Sequence, residues 1–271
     1  MPIPRLLLLA CLAFAWVPVS GQVAISPQML DVPVDNRTHA FKLYNLSAEP
    51  KKVRVSLTNF DLDDNNTVRE QASGEQSLDT WLVVSPLEFT VKPNGYQTVR
   101  LSIRPAVELA PGEHRAMVWF DEQPTPKASD KTPTLRVRFR IGAAVYGQVG
   151  KTERRGALRK VLVDGSGFAI ALANTGNANT RLDGRYHVHT KSEYKAKRAK
   201  PAAAPKPEDA ATAGAAPAET RLPTTPVLPG ALRVVRHKFA SPLAPGAYVL
   251  ELEGTFGETP VGGTWEFEVA K

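Results

Sequence analysis

A seven-residue stretch near the middle of the chain, Leu135 to Ile141, constrains the fold more than any other segment. Its four apolar side chains, Leu135, Val137, Phe139 and Ile141, alternate with three arginines. A period of two predicts a β-strand with one apolar face and one charged face. Burying four such side chains is worth at most about 6–12 kcal/mol, at roughly 1.5–3 kcal/mol each. The apolar face must therefore be covered, either by the strand's own domain or by another protein.

The N-terminal segment has the regions of a secretory signal peptide. Arg5 supplies basic charge, an apolar run extends from Leu6 to Val19, and small residues follow. We expect cleavage after Gly21 and a secreted mature protein. The run is shorter than the ~20 residues of a membrane span, and Pro18 interrupts it. A lipoprotein-type cut before Cys11 would leave too short an apolar run upstream.

Cysteine content and net charge exclude several classes of protein. Cys11 is the only cysteine and leaves with the signal peptide, so the mature chain forms no disulfide and no thiol metal site. A secreted chain of this kind must be held together by its core. Loss of Arg5 lowers the formal charge from +7 to +6 over about 250 residues. The arginines are spread among strands rather than clustered, which argues against nucleic-acid binding.

Short alternating segments separated by turn residues fill the first half of the mature chain, which is typical of an all-β sandwich. The predicted strands are Val23–Ser26, Ala40–Asn45, Lys52–Phe60, Leu82–Val84, Glu88–Val91, Thr98–Arg104, His114–Phe120 and Leu135–Tyr146. We assign them to an N-terminal domain at residues 22–149.

A second β pattern follows a short charged connection at Gly150–Gly156. Its predicted strands are Lys160–Val163, Gly167–Asn174, Arg185–His189, Leu232–Phe239, Gly246–Glu253 and Thr264–Val269. They form a second all-β domain at residues 150–271. Within it, residues 191–228 are rich in alanine, proline and lysine, and have too little apolar surface to offset the entropy of ordering. We interpret this segment as a disordered surface insertion.

The motifs that suggest chemistry are incomplete. Asp61–Asn65 resembles the start of a calcium loop, but the positions that need glycine and glutamate hold Asn66 and Ala72. A hairpin tip is the better interpretation. His187 and His189 share one side of a strand without a third ligand in register, which favours a polar surface over a metal site. With no nucleophile beside a base and no paired carboxylates in a recognisable frame, we expect no enzyme activity, cofactor or metal.

Eight short stretches are significant through their order and spacing. Those in the first domain are VAISP at 23–27, FKLYN at 41–45, WLVVSP at 81–86, GYQTVRLSIR at 95–104 and GEHRAMVWF at 112–120. Those in the second domain are LANTGN at 172–177, LPG at 228–230 and LAPGAY at 243–248. Together they resemble the periplasmic chaperones of the chaperone/usher pathway, the PapD-like family, over nearly all of the mature chain.

This resemblance implies two immunoglobulin-like sandwiches in a boomerang arrangement, whose cleft holds an unfinished pilus (fimbrial) subunit. In the family, the last strand of the first domain follows a long loop and complements a subunit that lacks its own final strand. Here the loop is at 123–133, and the subunit-binding residues are Leu135, Val137, Phe139 and Ile141. An added strand gains affinity from backbone hydrogen bonds, while side chains set its register.

The sequence departs from the family at the carboxylate anchor. Well-known members hold the terminal carboxylate of the subunit with an arginine and a lysine, and those positions here hold Met29 and either Gly142 or Ala144. A carboxylate removed from water needs a charge-assisted donor. The candidate replacements are Arg100, Arg104 and Arg140.

The resemblance therefore implies an ATP-independent chaperone that caps a secreted subunit by donor-strand complementation and delivers it to an outer-membrane usher. The alternative is an envelope-associated module of the same fold, which uses the basic insertion to hold a cell-surface polymer or protein. An exposed edge strand of this kind also favours self-association.

Overall fold

The computed structural model describes residues 23–36, 38–64, 66–124, 138–199 and 220–270. The chain folds into two β-sandwiches, so the predicted all-β class is confirmed. The predicted signal peptide, Leu135, Val137 and the centre of the predicted insertion lie outside the described residues. No helix in the described ranges is long and apolar enough to cross a membrane.

The first sandwich contains strands β1 to β10 and one short 3-10 helix at Asp79–Trp81. The strands are β1 (Val23–Ser26), β2 (Met29–Pro33), β3 (Thr38–Asn45), β4 (Lys51–Leu62), β5 (Val68–Gln71), β6 (Leu82–Ser85), β7 (Glu88–Val91), β8 (Tyr96–Ile103), β9 (Gly112–Glu122) and β10 (Arg140–Val149). One sheet has the order β1-β3-β8-β6, and the other has the order β2-β10-β9-β4-β5 with β7 also paired to β4.

The alternation in the sequence decides which side chains fill the first core. Phe41 on β3 and Leu101 on β8 are fully buried, while Lys42 and Arg100 beside them are exposed. Phe41 meets Phe120 of the opposite sheet edge to face, with ring centroids 6.3 Å apart. The two sheets therefore pack through the inward-facing residue of every second position.

The second sandwich contains strands β11 to β18 and one described helix, α1 (Lys191–Ala199). The strands are β11 (Gly156–Asp164), β12 (Gly167–Asn174), β13 (Thr180–Thr190), β14 (Thr220–Arg221), β15 (Pro226–Val227), β16 (Leu232–Lys238), β17 (Gly246–Phe256) and β18 (Thr259–Val269). One sheet has the order β11-β12-β16. The other has the order β14-β13-β17-β18, with β15 also paired to β13.

Both ends of the predicted insertion, 191–228, are ordered, which differs from the expectation. At its start, Thr190 and Glu193 form a capping box: the Thr190 hydroxyl accepts from the Glu193 amide, and the Glu193 carboxylate accepts from the Thr190 amide. This cap starts α1. At the other end, Leu222 and Val227 are buried in the second core. Burial of these two apolar residues is enough to fix the end of a largely polar segment to the second sandwich.

Candidate functional site

The first half of β10 has an unpaired edge. β10 pairs with β9 along its whole length, from Arg140 to Val149. On its other side it pairs in parallel with β2, but only from Ala144 to Gln148. Within the described part of the chain, residues 140–143 therefore present one row of backbone groups to no neighbour, which is a template for an added strand.

The hydrogen-bond pattern identifies the backbone groups on this free edge. The Phe139 carbonyl accepts from the Glu122 amide of β9, at 3.1 Å. Because backbone groups alternate in direction along an antiparallel strand, those of Ile141 also point towards β9. The N–H and C=O groups of Arg140 and Gly142 therefore point to the free edge.

The side chains of Phe139 and Ile141 are half-buried and pack against the first core. They share a face with Ala143 and Val145, which are fully buried. In the described half of the alternating stretch, the apolar face is therefore covered largely by its own domain. Leu135 and Val137, the other two apolar residues of the alternating stretch, lie outside the described ranges.

Arg140, one of the candidate anchors, is already engaged on the outer face of the sheet. Its guanidinium lies 4.1 Å from the centroid of the Trp119 ring. It also forms ion pairs with Glu70 at 2.7 Å and Asp121 at 3.1 Å. These contacts hold the side chain against β9 and the β4–β5 hairpin rather than leaving it available for a ligand.

Arg100 and Arg104, the other two candidates, belong to the opposite sheet or its end. Arg100 lies in β8, opposite Ala40 and Ser85, and its side chain is exposed. Arg104 follows β8 directly and is also exposed. Because β10 lies in the other sheet, the structure does not bring the three predicted anchors together.

The positions that the resemblance assigns to anchors are closed by apolar atoms. A Cβ at Gly142 would lie 2.8 Å from the Met117 sulfur and 2.8 Å from the Trp119 ring. Met29 and Ala144, paired in register, pack against a cluster shared by the two domains. The fully or nearly fully buried members of that cluster are Phe60, Met117, Tyr146 and Leu228. A lysine at residue 142 would have to displace Trp119.

Arg181 of β13, in the second domain, lies next to Met29 at the edge of this apolar cluster. Its guanidinium contacts the Met29 sulfur across the domain interface. Its Nε is buried without a hydrogen-bond partner, and Arg181 forms no ion pair with any described residue. Burial raises the pKa of the nearby Tyr146 to about 12, so that phenol stays neutral. No local sequence pattern indicates Arg181, because only the tertiary fold brings β13 next to β2.

Polar contacts fix the two domains to each other beside this cluster. The Glu113 carboxylate accepts from the Asn179 backbone amide at 2.7 Å and from its side-chain amide at 2.5 Å. Arg233 is almost fully buried and donates to the carbonyls of Leu62 (2.9 Å) and Asp63. Charge-assisted bonds of this kind, removed from water, favour one angle between the domains.

The Glu113 carboxylate makes the domain contact sensitive to pH. Burial raises the pKa of Glu113 above its usual 4.5, against the opposing hydrogen bonds from Asn179. An acid with a raised pKa stabilises the folded state most when protonated, so its contribution is full below about pH 4.5 and is lost as the pH rises through the raised pKa. We expect Glu113→Gln to gain unfolding free energy relative to the wild type as the pH rises above about 4.5, measured by urea denaturation. A difference that does not change with pH would contradict this.

The remaining motifs have structural positions. Of the Asp61–Asn65 motif, Asp61 and Leu62 end β4, where Leu62 lies opposite Val68 of β5, as expected for a hairpin tip; Asn65 lies outside the described residues. His187 and His189 stack with ring centroids 5.8 Å apart, but His189 is buried rather than on an open surface. The Nε2 atom of His189 is hydrogen-bonded to the Glu251 carboxylate at 3.1 Å. Its ring also lies against Tyr194, because α1 covers this part of the sheet.

Comparison with known proteins gives similarity of fold. No protein-family model and no curated protein matches the sequence. The chain is similar to the YadV chaperone, at 12% identity and a TM-score of 0.47 over 91% of this chain and 100% of that one. It is similar to the class 5 fimbriae chaperone CfaA, at 12% identity and a TM-score of 0.48 over 89% of this chain and 98% of that one.

A third similar structure is the CsuC–CsuE chaperone and tip-subunit pre-assembly complex of archaic chaperone-usher pili from Acinetobacter baumannii. The identity is 13% and the TM-score 0.46, over 93% of this chain and 100% of that one. Each of these solved structures contains a chaperone, which in the third is in complex with a tip subunit. At such identities the likeness concerns the fold, and the role of no residue is transferred from them.

Proposed function

We propose that this protein is an ATP-independent periplasmic chaperone that holds a secreted pilus-type subunit by donor-strand complementation. The observation that carries the proposal is the free edge of β10 at residues 140–143. In this proposal the subunit adds a strand to the backbone groups of Arg140 and Gly142. Delivery to an outer-membrane usher follows as the next step in assembly.

The alternating stretch has two roles in this proposal. Phe139 and Ile141 anchor the start of β10 to the first core, as their half-buried positions support. Leu135 and Val137 continue the same period towards the subunit and supply side-chain contacts that set its register. Before a subunit arrives, the same edge can pair with a second copy of the chain.

Arg181 is the cation that we propose for the terminal carboxylate of the subunit. It lies beside Met29, opposite Ala144 on β10, and has no described carboxylate partner. A forked guanidinium binds a carboxylate through two parallel hydrogen bonds. This choice replaces Arg140, which is already paired, and the distant Arg100 and Arg104.

The edge can be tested by comparing Arg140→Pro with Arg140→Ala. Proline removes the N–H that points to the free edge and puts its ring there, while pairing with β9 uses Phe139 and Ile141. Alanine removes the same side chain and its ion pairs but keeps that N–H. We expect at least about a tenfold loss of captured subunit for proline and a small loss for alanine.

The measurement is co-expression in a periplasm with the secreted proteins encoded beside this one. The chaperone is purified through a C-terminal tag and its companions are identified by mass spectrometry. Equal recovery of a subunit with both variants would exclude the edge as the binding element. Recovery of the wild type alone, or with glycan, despite good expression of those neighbours would support the envelope-binding alternative.

A further inference from the structure

The outer face of the β11-β12-β16 sheet has a low central row of alanines. Along β12, Phe168, Ile170 and Leu172 point into the second core and are buried. The alternate residues Ala169, Ala171 and Ala173 therefore point outward, and all three are half-buried. Neighbouring strands carry longer side chains beside Ala169 and Ala171, whereas Ala173 has Leu232 on one side and Ala157 on the other. The row therefore forms the floor of a groove, here called the alanine groove, that is open on the β11 side at Ala173.

Strand register defines the walls of the alanine groove. Ala169 lies between Leu162 of β11 and Arg236 of β16, and Ala171 lies between Lys160 and Val234. Because adjacent strands are about 4.8 Å apart, the strands that carry the two walls are about 10 Å apart, and the space between their side chains admits one row of partner side chains. The three alanines span about 13 Å, or roughly two and a half helical turns.

Each wall of the alanine groove has a leucine side chain that is largely exposed to solvent. Leu162 and Leu232, on opposite walls, are each 57% exposed. Leu232 lies beside Ala173, at the far end of the groove from Leu162. More than half of each residue's surface remains open beside the described residues, so a partner with its own apolar ridge would gain burial at both ends.

The rim of the alanine groove is positively charged. Lys160, Arg236 and Lys238 are exposed and form no ion pair with any described residue. The carboxylate nearest to them along β11, Asp164, accepts hydrogen bonds from Ser166 and Gly167 of its own turn. In the opposite sheet, by contrast, Arg221 pairs with Asp183 and Lys197 with Glu251.

We propose that the alanine groove binds an amphipathic α-helix of a partner protein, with a leucine/alanine ridge and acidic flanks. The ridge fills the recess between the walls, and glutamates or aspartates on its flanks pair with Lys160 and Arg236. A second copy of the chain would bring the same cations face to face. A flat lipid surface would touch the wall tops and leave the alanines unfilled. This site is independent of the β10 edge and does not rest on the proposed function.

The test uses the mature chain and an 18-residue lactam-stapled helical peptide with a Leu/Ala ridge and glutamate flanks, followed by fluorescence anisotropy. We expect saturable 1:1 binding that is about tenfold weaker for Lys160→Glu/Arg236→Glu. The matched control, Lys195→Glu/Arg198→Glu, makes the same charge change on exposed cations of α1 that form no ion pair with a described residue, and should bind within about twofold of the wild type.

A second variant tests the shape of the groove without changing charge. Ala171→Gln fills the floor, and we expect it to bind the peptide about tenfold more weakly while thermal melting stays unchanged. The proposal is overturned if no peptide binds, if both charge variants weaken binding equally, or if Ala171→Gln has no effect. It is also overturned if Leu162 and Leu232 instead mediate sedimentation with phosphatidylglycerol vesicles, or dimer formation in analytical ultracentrifugation.

Discussion

Replacing Phe120 with alanine is expected to lower the free energy of unfolding of the first domain by about 3–5 kcal/mol. Phe120 is fully buried and meets Phe41 edge to face across the two sheets. It also lies opposite Ile141, at the start of β10. The cavity would therefore remove contacts from the sandwich centre and from the strand that carries the free edge.

The matched control is Phe256→Ala, which removes the same fully buried ring from the second core. Differential scanning calorimetry should show one transition lowered by each variant, and hydrogen exchange should show faster exchange at residues 140–143 in Phe120→Ala only. If both variants lower a single common transition equally, the domains unfold as one unit. Independent cores would then be excluded.

Strand positions were predictable where the signal is local. Val23–Ser26, Glu88–Val91 and Gly167–Asn174 have the same bounds in the sequence and in the structure. β2 was missed, because Met29–Pro33 contains a proline and an aspartate and pairs in parallel with a strand more than a hundred residues away. β5 was missed because its burial is slight and its position depends on the hairpin with β4.

Composition was a poor guide inside the predicted insertion. Its proline and alanine content indicated a solvated segment, yet Leu222 and Leu228 are buried, and Leu228 lies in the cluster between the domains. The capping box at Thr190–Glu193 was a readable signal for α1, since a hydroxyl followed three residues later by glutamate marks a helix start. A few buried leucines and one helix cap hardly change the average composition of a segment, but they determine where it packs against the fold.

The sequence indicates which residues of the candidate site share a face, but not what those residues pack against. Alternation predicts that Phe139 and Ile141 share a face, but not what covers that face, and the structure packs both against their own core. Burial of Met29 beside Ala144 depends on how the second domain docks. For the same reason no pattern in the first domain could identify Arg181. When a site residue comes from the other domain, its distance along the sequence from the rest of the site does not indicate that it belongs there.

Changing Arg181 to alanine is expected to weaken capture of a subunit with a free terminal carboxylate by about 2–5 kcal/mol, because that carboxylate would be left out of water without a donor. The fold should be little affected, since Arg181→Ala loses the contact with the Met29 sulfur but breaks no ion pair with a described residue and removes an Nε that is buried without a described partner. Arg181→Lys keeps the charge but loses the fork, so an intermediate loss is expected. Affinity is measured by competition of the chaperone–subunit complex with a peptide of the missing strand.

Two comparisons separate a carboxylate-binding role from a packing role. Extending the subunit by a few residues moves its carboxylate, so Arg181→Ala should then cost little more than the extension alone. Arg100→Ala and Arg104→Ala remove exposed cations of the opposite sheet and should change affinity less than about twofold. A larger loss from either of them than from Arg181→Ala would place the anchor in the first domain, and Arg181 would then have only a packing role at the domain interface.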